Sequence, residues 1–245
     1  MVPPPAPFTS SYAEVLPPPA LRERIRRVWR YRTGTTSKTT TLVLPDGCVD
    51  LIWDGTRLFV AGPDQQAVAV QLAAGTRLTG LRLAPGVAHR LLGVPMQMLT
   101  DQRIAADAVL GRRGCDLQQR LAYDAHPMRT LLAAMGTVEV TPDPRMAWLF
   151  AQLTGACPPR VPALARSLGI SERSLHRHCL QAFGYGPKVL DRVLRLQRML
   201  RLAPDATSLT AVALDVGYAD ATHLSHDVRR LTGLTSRALV RDHAG

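Results

Sequence analysis

The feature that most constrains this chain is a unit near its C-terminal end that occurs twice. The first copy runs from Val161 to Gly184, V-P-A-L-A-R-S-L-G-I-S-E-R-S-L-H-R-H-C-L-Q-A-F-G. Leu164, Ala165 and Leu168 fall on one helical face. Gly169 allows the positive φ at which a helix can reverse. Ser171 is placed to cap a second helix, which turns Leu175, Cys179, Ala182 and Phe183 inward and stops at Gly184. Adding 49 takes Ser171 to Asp220, Leu175 to Leu224, Cys179 to Val228, Ala182 to Leu231 and Gly184 to Gly233. The helix before them repeats as well: A-R-S-L-G-I (165–170) returns as A-L-D-V-G-Y (213–218), with one extra residue in the second turn. A single hairpin with a glycine is common. Two copies with the same cap, core and terminal glycine form a specific signature.

Helix, glycine turn and helix is the helix-turn-helix pattern, whose second helix enters the major groove of DNA. Between the copies, Pro187 to Leu202 predicts a helix that opens on a proline and keeps Val189, Leu190, Val193, Leu194, Leu196, Met199 and Leu200 on a broad apolar face. Sixteen residues make a rod of roughly 24 Å, a length comparable with the spacing of successive major grooves, about 34 Å. Opposite the core, Arg173, His176 and Arg177 share a face at i, i+3 and i+4. By the repeat, Thr222, Ser225 and His226, with Ala221 beside them, hold that face in the second unit. Arginine can pair with guanine O6 and N7, and serine or threonine can hydrogen-bond a base or meet a thymine methyl. Ser171, Lys188, Arg192 and Arg229 are read as phosphate contacts. Arg192, Arg195, Arg198 and Arg201 advance by three and drift around the rod, so one or two should meet phosphates and the rest face solvent.

These residues carry a resemblance. Asp143 to Asp242 is similar to the DNA-binding domain of the AraC/XylS family of bacterial transcription regulators. The likeness rests on L-G-I-S-E-R-S-L-H-R-H-C-L-Q-A-F-G-Y-G-P, on R-V-L-R-L-Q-R, and on V-A-L-D-V-G-Y-A-D-A-T-H-L-S-H-D-V-R-R-L-T-G. It implies seven helices, two helix-turn-helix units on a shared long helix, and base-facing roles for the exposed residues just named. It also implies double-stranded DNA as partner, with RNA polymerase, a small-molecule effector and a second copy of the chain as further candidates. The family pattern places a proline after the second terminal glycine where this chain has Ser236, at the start of a last helix expected over about 236–242.

Charge agrees with a polyanionic partner. The net charge is +11 at pH 7, which favours nucleic acid before membrane. Residues 155–245 carry net +6 and residues 1–154 net +5, so the density is higher in the shorter C-terminal part. Arginine outnumbers lysine 28 to 2, a bias that a GC-rich genome explains as well as phosphate binding does. The hydrophobic fraction of 46% is enough for a real core. Cys48, Cys115, Cys157 and Cys179 are scattered, which argues against a zinc cluster or a disulfide framework. An 18-residue apolar run and a signal-peptide layout are both missing, so the expected location is the cytoplasm, with no membrane partner.

Residues 1–19 contain V-P-P-P-A-P and L-P-P-P and read as an extended or mobile arm. Leu21 to Arg27 is expected as a short helix, followed by a strand through Val28, Trp29 and Tyr31. The arginines at 22, 24, 26, 27, 30 and 32 make a basic run, read as a solvated face. From Thr39 to Leu83 short β-rich runs alternate with turns, beginning with T-L-V-L-P-D-G-C-V-D-L-I-W-D-G, and predict a small antiparallel barrel or sandwich able to enclose a ligand. After Pro85, helices are expected at about 86–92, 101–110, 115–122 and 127–135, packed on the barrel. L-P-D-G-C-V-D-L-I-W-D and L-R-L-A-P-G-V-A-H-R-L-L-G-V-P resemble the N-terminal domain of a subgroup of AraC-type regulators whose effectors are mostly unassigned.

Catalytic chemistry is hard to place in this part. His89 and His126 lack metal-ligand spacing, and Asp46, Asp50 and Asp54 read as turn and solubility residues. Cys48 reads as a buried strand cysteine before a reactive thiol. The fold class is therefore α+β: an arm (1–19), a β-rich, barrel-like effector or dimerisation domain with packed helices (20–136), a linker (137–142) and an all-α double helix-turn-helix domain (143–245). The reading is a sequence-specific transcription regulator that is not an enzyme and needs no cofactor, metal or catalytic residue. Two alternatives stay open: a DNA-repair protein on the same helical domain, which would need a clustered, activated cysteine, and an architectural DNA-binding protein without sequence preference.

Overall fold

A computed structural model describes residues 10–35, 38–203 and 208–243, with the side chains of the last two left aside. The first proline run, residues 2–7, lies outside the described residues. In the N-terminal half, six antiparallel strands form one sheet in the order β1-β2-β7-β4-β5-β8. They are β1 (Ser11–Val15), β2 (Ile25–Arg32), β4 (Asp50–Trp53), β5 (Leu58–Ala61), β7 (Arg77–Leu83) and β8 (Arg103–Ala105). β3 (Thr39–Val43) and β6 (Val68–Leu72) pair with each other, in a separate two-stranded sheet.

Side chains alternate across a strand, and this alternation sorts the large sheet into two faces. Val28, Leu51, Trp53, Leu58, Val60 and Leu81 belong to one core. That core is completed by α1 (Ala88–Leu92), α2 (Ala106–Leu110), α3 (Arg112–Ala122) and α4 (Pro127–Gly136). Trp29, Ile52 and Ala61, with Tyr31, Phe59 and Leu78 against them, form the opposite face. The β3–β6 pair stands over that face, joined to it where Tyr31 Oη and Thr41 Oγ1 lie 2.7 Å apart.

The β-rich domain expected from the sequence is present, and of the two forms expected it is the sandwich rather than the closed barrel: a second small sheet stands over an open one, and β1 and β8 end the large sheet without pairing to each other. A row of short strands does not reveal which of them pair, because pairing is set by distant residues. Other expectations are corrected. Residues 11–15 of the expected arm are strand β1, with Tyr12 opposite Tyr31. The expected helix at Leu21 to Arg27 reduces to a 3₁₀ turn at Pro19–Leu21, and β2 already begins at Ile25. The expected helix at 101–110 starts as β8, since Phe59–Ala61 of β5 offers a free edge. The basic run is held within the protein rather than solvated as a whole. Arg24 donates to Met135 O, Arg26 stacks on Phe150 and donates to Cys48 Sγ, and Arg27 pairs with Glu14.

Among the described residues, the C-terminal half has seven helices: α5 (Pro144–Thr154), α6 (Val161–Ser167), α7 (Glu172–Phe183), α8 (Pro187–Leu202), α9 (Leu209–Asp215), α10 (Ala221–Thr232) and α11 (Ser236–His243). The last helix forms although Ser236 replaces the expected proline. Ser236 is buried, and Thr235 accepts from Ala238 N in the manner of an N-cap. Among the described residues no helix is long and apolar enough to cross a membrane.

Candidate nucleic-acid interface and ligand cavity

The two helix pairs are built by the same local rules. α6 and α9 have seven residues each, and α7 and α10 have twelve each. Gly169 (φ 66°) and Gly217 (φ 88°) take the left-handed turn. Ile170 N then donates to Ala165 O and Tyr218 N to Ala213 O. The extra residue of the second turn is Ala219. Ser171 Oγ accepts from Ser174 N at 3.1 Å, and Asp220 Oδ1 from His223 N at 2.8 Å, so both recognition helices begin on a side-chain cap. Leu175, Cys179, Ala182 and Phe183 are buried in one, Leu224, Val228, Leu231 and Thr232 in the other. Gly184 and Gly233 end them in the left-handed region.

The faces left to solvent are those expected. Arg173, His176 and Arg177 on α7 are exposed, as are Thr222, Ser225 and His226 on α10; Ala221 is half-buried. His176 is not wholly free, since its ring lies over Gly186 so closely that a Cβ there would sit 2.6 Å from Nε2. Ser225 Oγ stands 3.5 Å from Ser236 Oγ. Among the phosphate candidates, Ser171, Lys188 and Arg229 are exposed. Arg192 is half-buried and pairs with Asp227 at 3.2 Å, tying α8 to α10. Arg201 is exposed, but Arg195 and Arg198 depart from the solvent-facing expectation. Arg195 pairs with Asp191 and lies over the Tyr218 ring. Arg198, only 3% exposed, donates to Leu153 O and Val216 O and so joins α5, α8 and the second turn. Spacing by three could not reveal this, because the other side of α8 is covered by α5 and α9.

A second site lies between the sheets. Tyr12, Trp29, Tyr31, Ile52, Phe59 and Leu78 floor a cavity of about 790 Å³, and Thr41, Val43, Val68, Val70 and Leu72 roof it. The Trp29 indole lies across Gly80, where any Cβ would come within 2.2 Å of the ring. At one end Arg82 Nε approaches Asp46 Oδ2 at 3.0 Å and Asp50 Oδ1 at 3.4 Å. The Asp50 carboxylate also accepts from Trp29 Nε1 at 3.4 Å. Its burial raises the Asp50 pKa to about 6 in spite of Arg82. Asp46 and Asp50 therefore do more than serve turns. Asp54 does serve one, accepting from Thr56 N and Arg57 N. Cys48 is buried in the loop before β4, and burial pushes its thiol up to about 12. That thiol is protonated at neutral pH, the reverse of an activated nucleophile. Among the described residues no group of His, Cys, Asp and Glu side chains is arranged to hold a metal ion.

The two halves meet at segments the sequence did not mark. Cys48, with Leu44 against it, belongs to the core of the helical domain. Gly47 faces Phe150, Leu190 and Leu194, and Gln197 donates to Pro45 O. Ala67 N, just before β6, donates to Leu231 O at the end of α10. The turn after α7 is seated on the N-terminal half, where Thr100 Oγ1 donates to Gly184 O at 3.1 Å. Both ends of the cavity roof on that side, Leu44 after β3 and Ala67 before β6, therefore touch the helical domain.

Two helix-turn-helix units with exposed polar faces, carried on one connecting helix, define a DNA-binding domain. Residues 164–242 match a helix-turn-helix domain family, and residues 13–105 match a domain of unknown function, DUF6597. With the motifs and geometry above, that match supports an AraC-type, DNA-binding transcription regulator. Among solved structures, an AraC-type transcriptional regulator from Chromobacterium violaceum is 25% identical, with 41% of this chain and 88% of that one covered at a TM-score of 0.36. ToxT from Vibrio cholerae bound to (E)-4-(8-methylnaphthalen-1-yl)but-3-enoic acid is 11% identical, with 97% and 99% covered at 0.45. No curated protein matches the chain.

Proposed function

We propose that this regulator recognises a specific DNA sequence chiefly through α7, with α10 anchoring the second contact, and that its N-terminal domain adjusts binding in response to a small molecule. On this reading the domains divide within residues 137–142. The observation that carries it is the pair of capped, exposed helix faces held on the one rod of α8. Arg173 and Arg177 offer directional donors, and a bidentate arginine–guanine pair contributes about 1–3 kcal/mol of discrimination. Thr222 and Ser225 offer shorter side chains with fewer hydrogen bonds. The effector part is supported by the cavity and by the contact of its roof with the helical domain.

The experiment is binding-site selection with the full chain and single variants. Arg177→Ala is expected to weaken binding to the preferred site by about 1–3 kcal/mol and to relax one base position. Thr222→Ala is expected to do less. If Thr222→Ala scrambles the selected sequence while Arg173→Ala and Arg177→Ala preserve it, the heads are assigned in the wrong order.

A further inference from the structure

The cavity between the sheets has a chemical bias that its size alone does not show. The chain as a whole is strongly basic, at +11. The ionisable residues lining the cavity run the other way: Asp46, Asp50, Asp54, Asp64 and Asp107 against Arg57, Arg82 and Arg103. Arg103 is matched, donating to both oxygens of Asp64 at 2.8 and 2.6 Å. Arg57 is matched by Asp54. Arg82 is left with two lining carboxylates, Asp46 and Asp50, and its contacts to Asp50 are long, at 3.4 and 3.5 Å. A third carboxylate, Glu14, stands 3.7 Å from the same guanidinium, but its nearer partner is Arg27, at 3.3 Å. An anionic ligand would meet a guanidinium already surrounded by acids, whereas a cation would meet carboxylates with too little positive charge. The neighbouring surface is aromatic: Tyr12 and Trp29 have ring centroids 6.2 Å apart, and Tyr31 and Phe59 continue the floor. Aromatic faces attract cations and accept apolar bodies.

The geometry points to an organic cation, an amine or quaternary ammonium on an aromatic or aliphatic body, as the ligand of this cavity, its charge placed at Asp46 and Asp50 and its body against Trp29 and Tyr31. A cavity of about 790 Å³ suits such a molecule. The raised pKa of Asp50 agrees, since it comes first from burial, and a cation beside the carboxylate would offset that cost. This inference rests on the reading of the N-terminal domain as the effector-responsive part.

Three probes with one body and different heads test it: 4-phenylbutylamine, 4-phenylbutan-1-ol and 4-phenylbutyrate, each titrated calorimetrically into the full chain. The amine is expected to bind at least tenfold more tightly than the other two. Asp50→Asn and, separately, Asp46→Asn are each expected to remove most of the advantage of amine over alcohol. Equal or tighter binding of the butyrate, or no binding of the amine, overturns the assignment, and both results come from the unaltered protein. DNA affinity measured with each probe separates the two readings. Amine binding that leaves DNA affinity unchanged supports the ligand class and defeats the effector reading. A response to the butyrate alone defeats the ligand class and leaves the effector reading standing.

Discussion

Cysteine chemistry at the residue scale follows from burial. Cys48 and Cys179 are buried, and desolvation holds both thiols at about 12, while Cys115 and Cys157 are exposed. A thiol with a raised pKa stays protonated until the pH climbs far above neutral, and the thiolate is the reactive form. Alkylation of the native protein near pH 8 is therefore expected to stop at Cys115 and Cys157. Cys48 and Cys179 should label only after denaturation, as peptide mass mapping would show. Rapid labelling of Cys48 in the folded protein would contradict its burial and reopen the repair-protein alternative. Arg198 shows the limit of sequence reading at this scale. An arginine in a run of four looks like surface, and nothing near it in the chain announces that two carbonyls from α5 and the second turn will take its donors.

Each recognition helix ends on a left-handed glycine, but only one of the two is crowded. A Cβ at Gly184 would lie 2.4 Å from Thr100 Oγ1 and 2.7 Å from Pro63 Cγ; at Gly233 it would meet nothing within 4 Å. Left-handed backbone alone costs a non-glycine residue roughly 1–2 kcal/mol. Gly233→Ala is expected to lose about that much, and Gly184→Ala clearly more, in parallel denaturant titrations. Equal losses would mean that the α7 turn is not seated on the N-terminal half in solution. The helix-turn-helix pairs were legible because their determinants are local: a cap, a glycine and an apolar face within a dozen residues. The strands from Thr39 to Leu83 were legible as strands but not as a sheet plan. That β3 leaves the large sheet to pair with β6, opening the cavity, depends on contacts about thirty residues apart. The acid end of the cavity was hidden for the same reason, since Asp50 and Arg82 meet only when β4 pairs with β7.

At the scale of the whole molecule, the helical domain takes part of its cover from the other half of the chain. Leu44 and Cys48 pack on its core, and Gly47 faces Leu190 and Leu194. Residues 137–245 produced alone are expected to retain salt-sensitive DNA binding, because the exposed faces of α7 and α10 lie within them. They are also expected to unfold at a lower temperature than the same domain in the full chain, since apolar surface on α5 and α8 becomes wet. Calorimetric melting of both proteins measures the difference. An unchanged melting temperature would show that the contacts between the halves contribute nothing.

The seat of the α7 turn also bears on portability. A chimera that grafts this DNA-reading half onto a foreign sensor by cutting the chain at residues 137–142 would respect the covalent joint and miss the physical one. Pro63 and Thr100 belong to the N-terminal half by sequence, yet they brace the turn after α7 by contact, as the loop at 44–48 braces α5 and α8. A working transplant has to carry those three patches with it or supply equivalents on the new partner.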